Sequence, residues 1–124
     1  MKKNFVFALL AGALSLTATS AFAQAGTGHS VDVVKGFVSE AIKHVNEALA
    51  QAQAGNAPGT AEHARAASAQ ADEAAATENA GMDIEQAQNR LTTAIKAADK
   101  GDAAAAAAPL QESISLLTAA LGKL

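Results

Sequence analysis

The sequence predicts an all-α protein, an up-down-up-down four-helix bundle formed from two similar helical hairpins. Three observations carry that expectation. Apolar residues recur at helical spacing in four separate stretches. Glycine followed by a capping residue interrupts the pattern at Gly55-Asn56 and again at Gly101-Asp102. The two halves of the chain also match at an offset of 46 residues.

In the first helix, Ser30 offers a cap and Asp32 complements the positive helix end. Val34, Val38, Ala41, Ile42, Val45, Ala48, Leu49 and Ala52 form one apolar stripe, and Gly55 ends it. Asn56 is the candidate cap of the second helix, with Pro58 tolerated in its first turn; a later start capped by Thr60 competes. Ala64, Ala67, Ala71 and Ala74 make the inner face. Alanine there favours the helix and close approach, but contributes little apolar area per residue.

Gly81 breaks the pattern, after which Asp83 and Gln86 stand in capping-box spacing for the third helix. That helix turns Ile84, Ala87, Leu91, Ala94, Ile95 and Ala98 inward and ends near Gly101. Asp102 is placed to cap the fourth, whose apolar residues include Leu110, Ile114, Leu117 and Leu121. Pro109 lies seven residues past that cap, where a missing N–H and a clash with the previous turn predict a bend or a delayed start.

The repeat reinforces these elements. Val38 falls on Ile84, Val45 on Leu91, Leu49 on Ile95, and Gly55-Asn56 on Gly101-Asp102. Two such hairpins bury their stripes against each other, and short connections favour antiparallel neighbours.

Residues 1–23 read as a cleaved secretory signal. Lys2 and Lys3 supply a basic start, Phe5 to Leu16 an apolar run, and Ala21-Phe22-Ala23 small residues at the positions a signal peptidase reads. The run is too short for a membrane span. The exported chain is therefore expected to begin at Gln24, with residues 24–30 a flexible leader, residues 31–124 the bundle, the periplasm its compartment, and no stable membrane insertion after cleavage. Losing Lys2 and Lys3 leaves seven basic against twelve acidic residues, a formal charge of −5. That balance, without a basic cluster, argues against nucleic acid and anionic membranes as partners. With no cysteine there is no disulfide and no lipid attachment, so helix packing must supply the stability.

Chemistry-bearing residues are few. There is no Cys, Trp or Tyr, no HExxH, no Glu-x-x-His pair, no glycine-rich nucleotide loop and no ordered Ser/His/Asp arrangement. The expectation is a protein that is not an enzyme. Of the three histidines, His44 is the most informative. It borders the first helix's apolar stripe, with Glu40 one turn before it and Glu47 three residues after. Imidazole and carboxylate on adjoining helical surface can meet one divalent ion, with Gln51 next along that side. The competing reading is a solvated histidine flanked by carboxylates. His63, beside Glu62 and near Arg65, forms a weaker version, and His29 lies in the leader. Folding the hairpin at Gly55-Asn56 leaves His44 and His63 out of level by roughly 8 Å at ~1.5 Å per residue, which predicts separate sites rather than a shared one.

Residues 40–48, the segment from Gly55-Asn56 to Ala64, and Leu91 to Asp102 carry a resemblance. Over about residues 29–121 the chain resembles the small metal-binding protein family, periplasmic four-helix bundles rich in histidine that take up copper and other divalent ions. Arg90, Ala97, Asp102, Pro109 and Leu116 stand where the resemblance leads one to look for histidine. His44 and His63 keep that pattern, with His29 near its start. The resemblance implies a small periplasmic protein that binds divalent metal weakly, for buffering or sequestration. The metal residues are His44, Glu40, Glu47, His63 and His29. Cu(II) is favoured by its affinity for nitrogen and oxygen donors, with Ni(II) or Zn(II) as alternatives, and no organic cofactor is expected. The runner-up is a non-enzymatic envelope protein that presents a helical surface to a protein partner.

Overall fold

Four α-helices form where the apolar periodicity and glycine punctuation place them: α1 Val31–Gln53, α2 Ala57–Ala75, α3 Met82–Asp99 and α4 Ala103–Lys123. The computed structural model describes residues 31–77 and 80–124. The expected signal, leader and His29 lie outside the described residues.

The two hairpin turns share one design. Gly55 and Gly101 adopt φ of 79° and 86°, a region that admits glycine without the clash a Cβ brings. Gly55 N–H bonds Ala52 O at 3.0 Å and Asn56 N–H bonds Gln51 O at 2.9 Å. At the offset of the repeat, Gly101 N–H bonds Ala98 O at 2.9 Å and Asp102 N–H bonds Ala97 O at 3.0 Å. This is the Schellman pattern, which satisfies the last carbonyls of α1 and α3. The next residue caps the following helix in each hairpin: Asn56 Oδ1 accepts from Gly59 N–H at 3.1 Å, and Asp102 Oδ1 from Ala105 N–H at 3.0 Å. Asn56, not Thr60, is thus the cap of α2. Thr60 is buried in the first turn and donates its hydroxyl to Asn56 O at 2.8 Å.

Each helix packs on its neighbours in sequence and α1 closes the ring against α4, giving an up-down-up-down bundle. The core takes Val34, Val38 and Val45 from α1, Ile84 and Leu91 from α3, and Leu110 and Leu117 from α4, against an α2 face made largely of alanine. Ile42, Leu49, Ile95, Ile114 and Leu121 pack at its margin, partly buried.

Two expectations need correction. The capping box at Asp83 and Gln86 does not form. Met82 is already helical and Gly81 is the cap, with its carbonyl receiving Ile84 N–H at 3.1 Å and no side-chain cap bond. Asp83 therefore sits inside the first turn, where its carboxylate meets Lys123 Nζ of α4 at 2.7 Å. Nor does Pro109 delay α4, which runs unbroken through it. The Asp102 cap and six consecutive alanines hold the helix before the ring, so proline removes one donor without displacing the start. One turn on, the buried Ser113 hydroxyl donates to Pro109 O at 3.0 Å, with Ala87 O of α3 at 3.4 Å.

No helix among the described residues is long and apolar enough to cross a membrane.

Candidate metal centre

His44, Glu47 and His63 each immediately precede a buried residue: Val45, Ala48 and Ala64. Helical periodicity therefore puts all three at the rim of the α1–α2 seam. Their stems lie against the packed interface and their polar atoms face outward. The side chains of His44, Glu47 and His63 keep 26%, 43% and 31% of their exposure, so the cluster is half-buried and open to solvent.

One carboxylate oxygen joins the two imidazoles across the seam. Glu47 Oε1 is 3.1 Å from His44 Nδ1 and 3.2 Å from His63 Nδ1. The two rings stack at 25° with centroids 6.4 Å apart. One donor atom from each of the three residues falls within 4.8 Å of the other two, the one such group of three among the described residues. The two spacings to Glu47 Oε1 are those of donors in one coordination shell. Two donors each ~2.0–2.1 Å from one ion, at angles between a right angle and the tetrahedral value, are about 2.9–3.4 Å apart. The same contacts also suit a carboxylate accepting hydrogen bonds from two imidazole N–H groups, and a metal would displace those protons.

The expected separation of His44 and His63 along the hairpin is corrected by the structure, which brings their donor atoms together, and the helix ends give the reason. Glu47 lies six residues before the end of α1 and His63 six residues after the start of α2, so the two are level across the turn. His44 is one turn further along α1, within reach of the same carboxylate. Residues 54–56 form the reversal and add no length along either helix. Measuring from the helix ends would have found the pairing from the sequence.

The other expected ligands take different positions. Glu40 Oε1 is 4.0 Å from Nε2 of His44, the ring nitrogen opposite the cluster, and is not among the converging donors. Gln51 Oε1 instead accepts from Asn56 Nδ2 at 2.7 Å, serving the turn. Arg65, two residues past His63, is drawn to α3, where its Nη2 meets both Asp99 oxygens at 2.6 and 2.7 Å. His29 lies outside the described residues.

The sequence pattern of the family described as "Small metal-binding protein" matches residues 2–120. No curated protein matches the chain.

Proposed function

The chain belongs to the small metal-binding protein family, and we propose that it binds one divalent metal ion reversibly across the α1–α2 seam, through Nδ1 of His44, Oε1 of Glu47 and Nδ1 of His63. The observation that carries this reading is the single Glu47 oxygen within 3.1 and 3.2 Å of two imidazole nitrogens on different helices. Two nitrogens and one oxygen, without thiolate, suit Cu(II) first and Ni(II) or Zn(II) next. Three protein donors leave the remaining positions to water. Their partial exposure makes the site accessible and its affinity modest, which fits buffering or sequestration rather than permanent retention. The role is binding without catalysis.

The export signal read in residues 1–23 supports the periplasm as the compartment of this activity. Intact-mass measurement of periplasmic material should find a chain beginning at Gln24; residues 1–23 still attached would contradict export by cleavage. The alternative role, docking a protein partner in the envelope, calls for a continuous exposed apolar strip. Among the described residues the exposed large hydrophobics are Val31 and Met82, at the starts of different helices.

Calorimetric titration of tag-free residues 24–124 with Cu(II), Ni(II) and Zn(II) tests the proposal. The expected result is one equivalent bound, with affinity reduced in both His44→Ala and His63→Ala. Because imidazole binds metal only as the neutral base, affinity should also fall as the pH is lowered. Unchanged binding in both variants would remove the seam from the function.

A further inference from the structure

His44 has a carboxylate at each ring nitrogen, whereas His63 has one at a single nitrogen. On His44, Glu47 Oε1 stands at Nδ1 and Glu40 Oε1 at Nε2, the latter at 4.0 Å and one helical turn earlier. Among the described residues His63 pairs with Glu47 alone, through Nδ1. The two histidines are therefore unequally held, although they face the same point.

We infer that Glu40 is a positioning residue, holding the Nε2 side of His44 so that Nδ1 stays directed at the metal. The inference rests on the binding site proposed above. A metal-bound imidazole carries its remaining proton on the other nitrogen, and an acceptor there fixes the tautomer, orients the ring and raises its basicity as a ligand. Coordination at Nδ1 draws electron density from the ring and makes Nε2–H a stronger donor. Glu40 sits at i−4 on the same helix, where side chains are neighbours. Its side chain is half exposed, so a modest rotation brings the oxygen from 4.0 Å to the ~2.7–2.9 Å of a charge-assisted hydrogen bond. Glu40 acts through His44 and does not touch the ion.

Zn(II) affinity in a set of variants tests this. Glu40→Gln should weaken binding roughly tenfold, the lower end of the range for such partners. It should cost a similar factor in the His63→Ala background, which keeps His44, and nothing in His44→Ala, which removes the ring Glu40 acts on. Equal losses in all three backgrounds would show that Glu40 contributes only charge or binds the ion directly, and would overturn the inference. No loss in the parent protein would also overturn it.

Imidazole 15N NMR of the Zn(II)-loaded protein gives a reading that does not depend on weak variants retaining measurable affinity. Glu40→Gln should expose the His44 Nε2 proton to faster solvent exchange and leave His63 unchanged. Identical exchange in both proteins would contradict the positioning role. If wild-type binding itself is indifferent to His44 and His63, the site reading fails. If binding depends on both and is indifferent to Glu40, the positioning role alone fails.

Discussion

At the offset of 46 residues, the first and second hairpins end their leading helices with the same left-handed glycine, the same two backbone bonds and the same side-chain cap. Yet His44, Glu47 and His63 in the first correspond to Arg90, Thr93 and Pro109 in the second. Arg90 Nε pairs with Glu112 Oε1 at 2.9 Å, and Pro109 is buried. The cores differ in the opposite sense. Ile84, Leu91, Leu110 and Leu117, the largest fully buried side chains, all belong to the second hairpin, while the first offers valines and the alanine face of α2. The repeated backbone is thus used twice for different ends. One hairpin supplies most of the apolar bulk, and the other carries the polar cluster on its seam.

That division makes predictions of graded size. The largest concerns the core. Leu91→Ala or Leu110→Ala should cost about 2–5 kcal/mol by denaturant unfolding. Val38→Ala or Val45→Ala should cost about 2 kcal/mol, since fewer methyl groups leave a smaller cavity. Equal losses in the two hairpins would erase the claimed asymmetry of the core.

Metal should act on the first hairpin. A ligand that binds only the folded state stabilises it by about 2.7 kcal/mol at a hundredfold excess over Kd, which for a domain of this size raises Tm by roughly 10 °C or more. At the same metal concentration the shift should be smaller in His44→Ala and in His63→Ala. A shift retained in full in both would place the metal elsewhere.

The glycines should behave alike. Gly55→Ala and Gly101→Ala each force a Cβ into the left-handed region, at about 1–2 kcal/mol. Neither has a neighbour within 4 Å of an added Cβ, so backbone strain is the whole effect. A marked difference between them would mean that the turns are not equivalent.

The smallest energetic effect is a graft. Arg90→His, Thr93→Glu and Pro109→His together copy the first hairpin's donors onto the second. A second, weaker equivalent of Zn(II) should appear, worth only about 0.4 kcal/mol when free metal equals its Kd and so best read as stoichiometry. A folded triple variant that still binds one equivalent would show that the repeat does not fix the donor geometry.

Local signals were legible in the sequence and cross-seam signals were less so. Stripe residues, glycine reversals and the Asn56 and Asp102 caps depend on neighbours a few positions away, and the structure keeps them. The start of α3 escaped because Met82 enters the helix before Asp83, leaving the carboxylate free to meet Lys123 on α4. The delayed start expected at Pro109 does not occur because the Asp102 cap and the alanine run hold the turn that precedes the ring. His44, Glu47 and Glu40 were identifiable as neighbours on one helix. The junction with His63 depends on register between two helices, and three turn residues decided it.

The central claim is that one ion draws nitrogen from both helices of the first hairpin. Pulsed electron paramagnetic resonance of the one-to-one Cu(II) complex of residues 24–124 counts coordinated imidazoles directly. Two are predicted in the wild type, one in His44→Ala and one in His63→Ala. A single imidazole in the wild type, or a wild-type spectrum in either variant, would contradict the shared site.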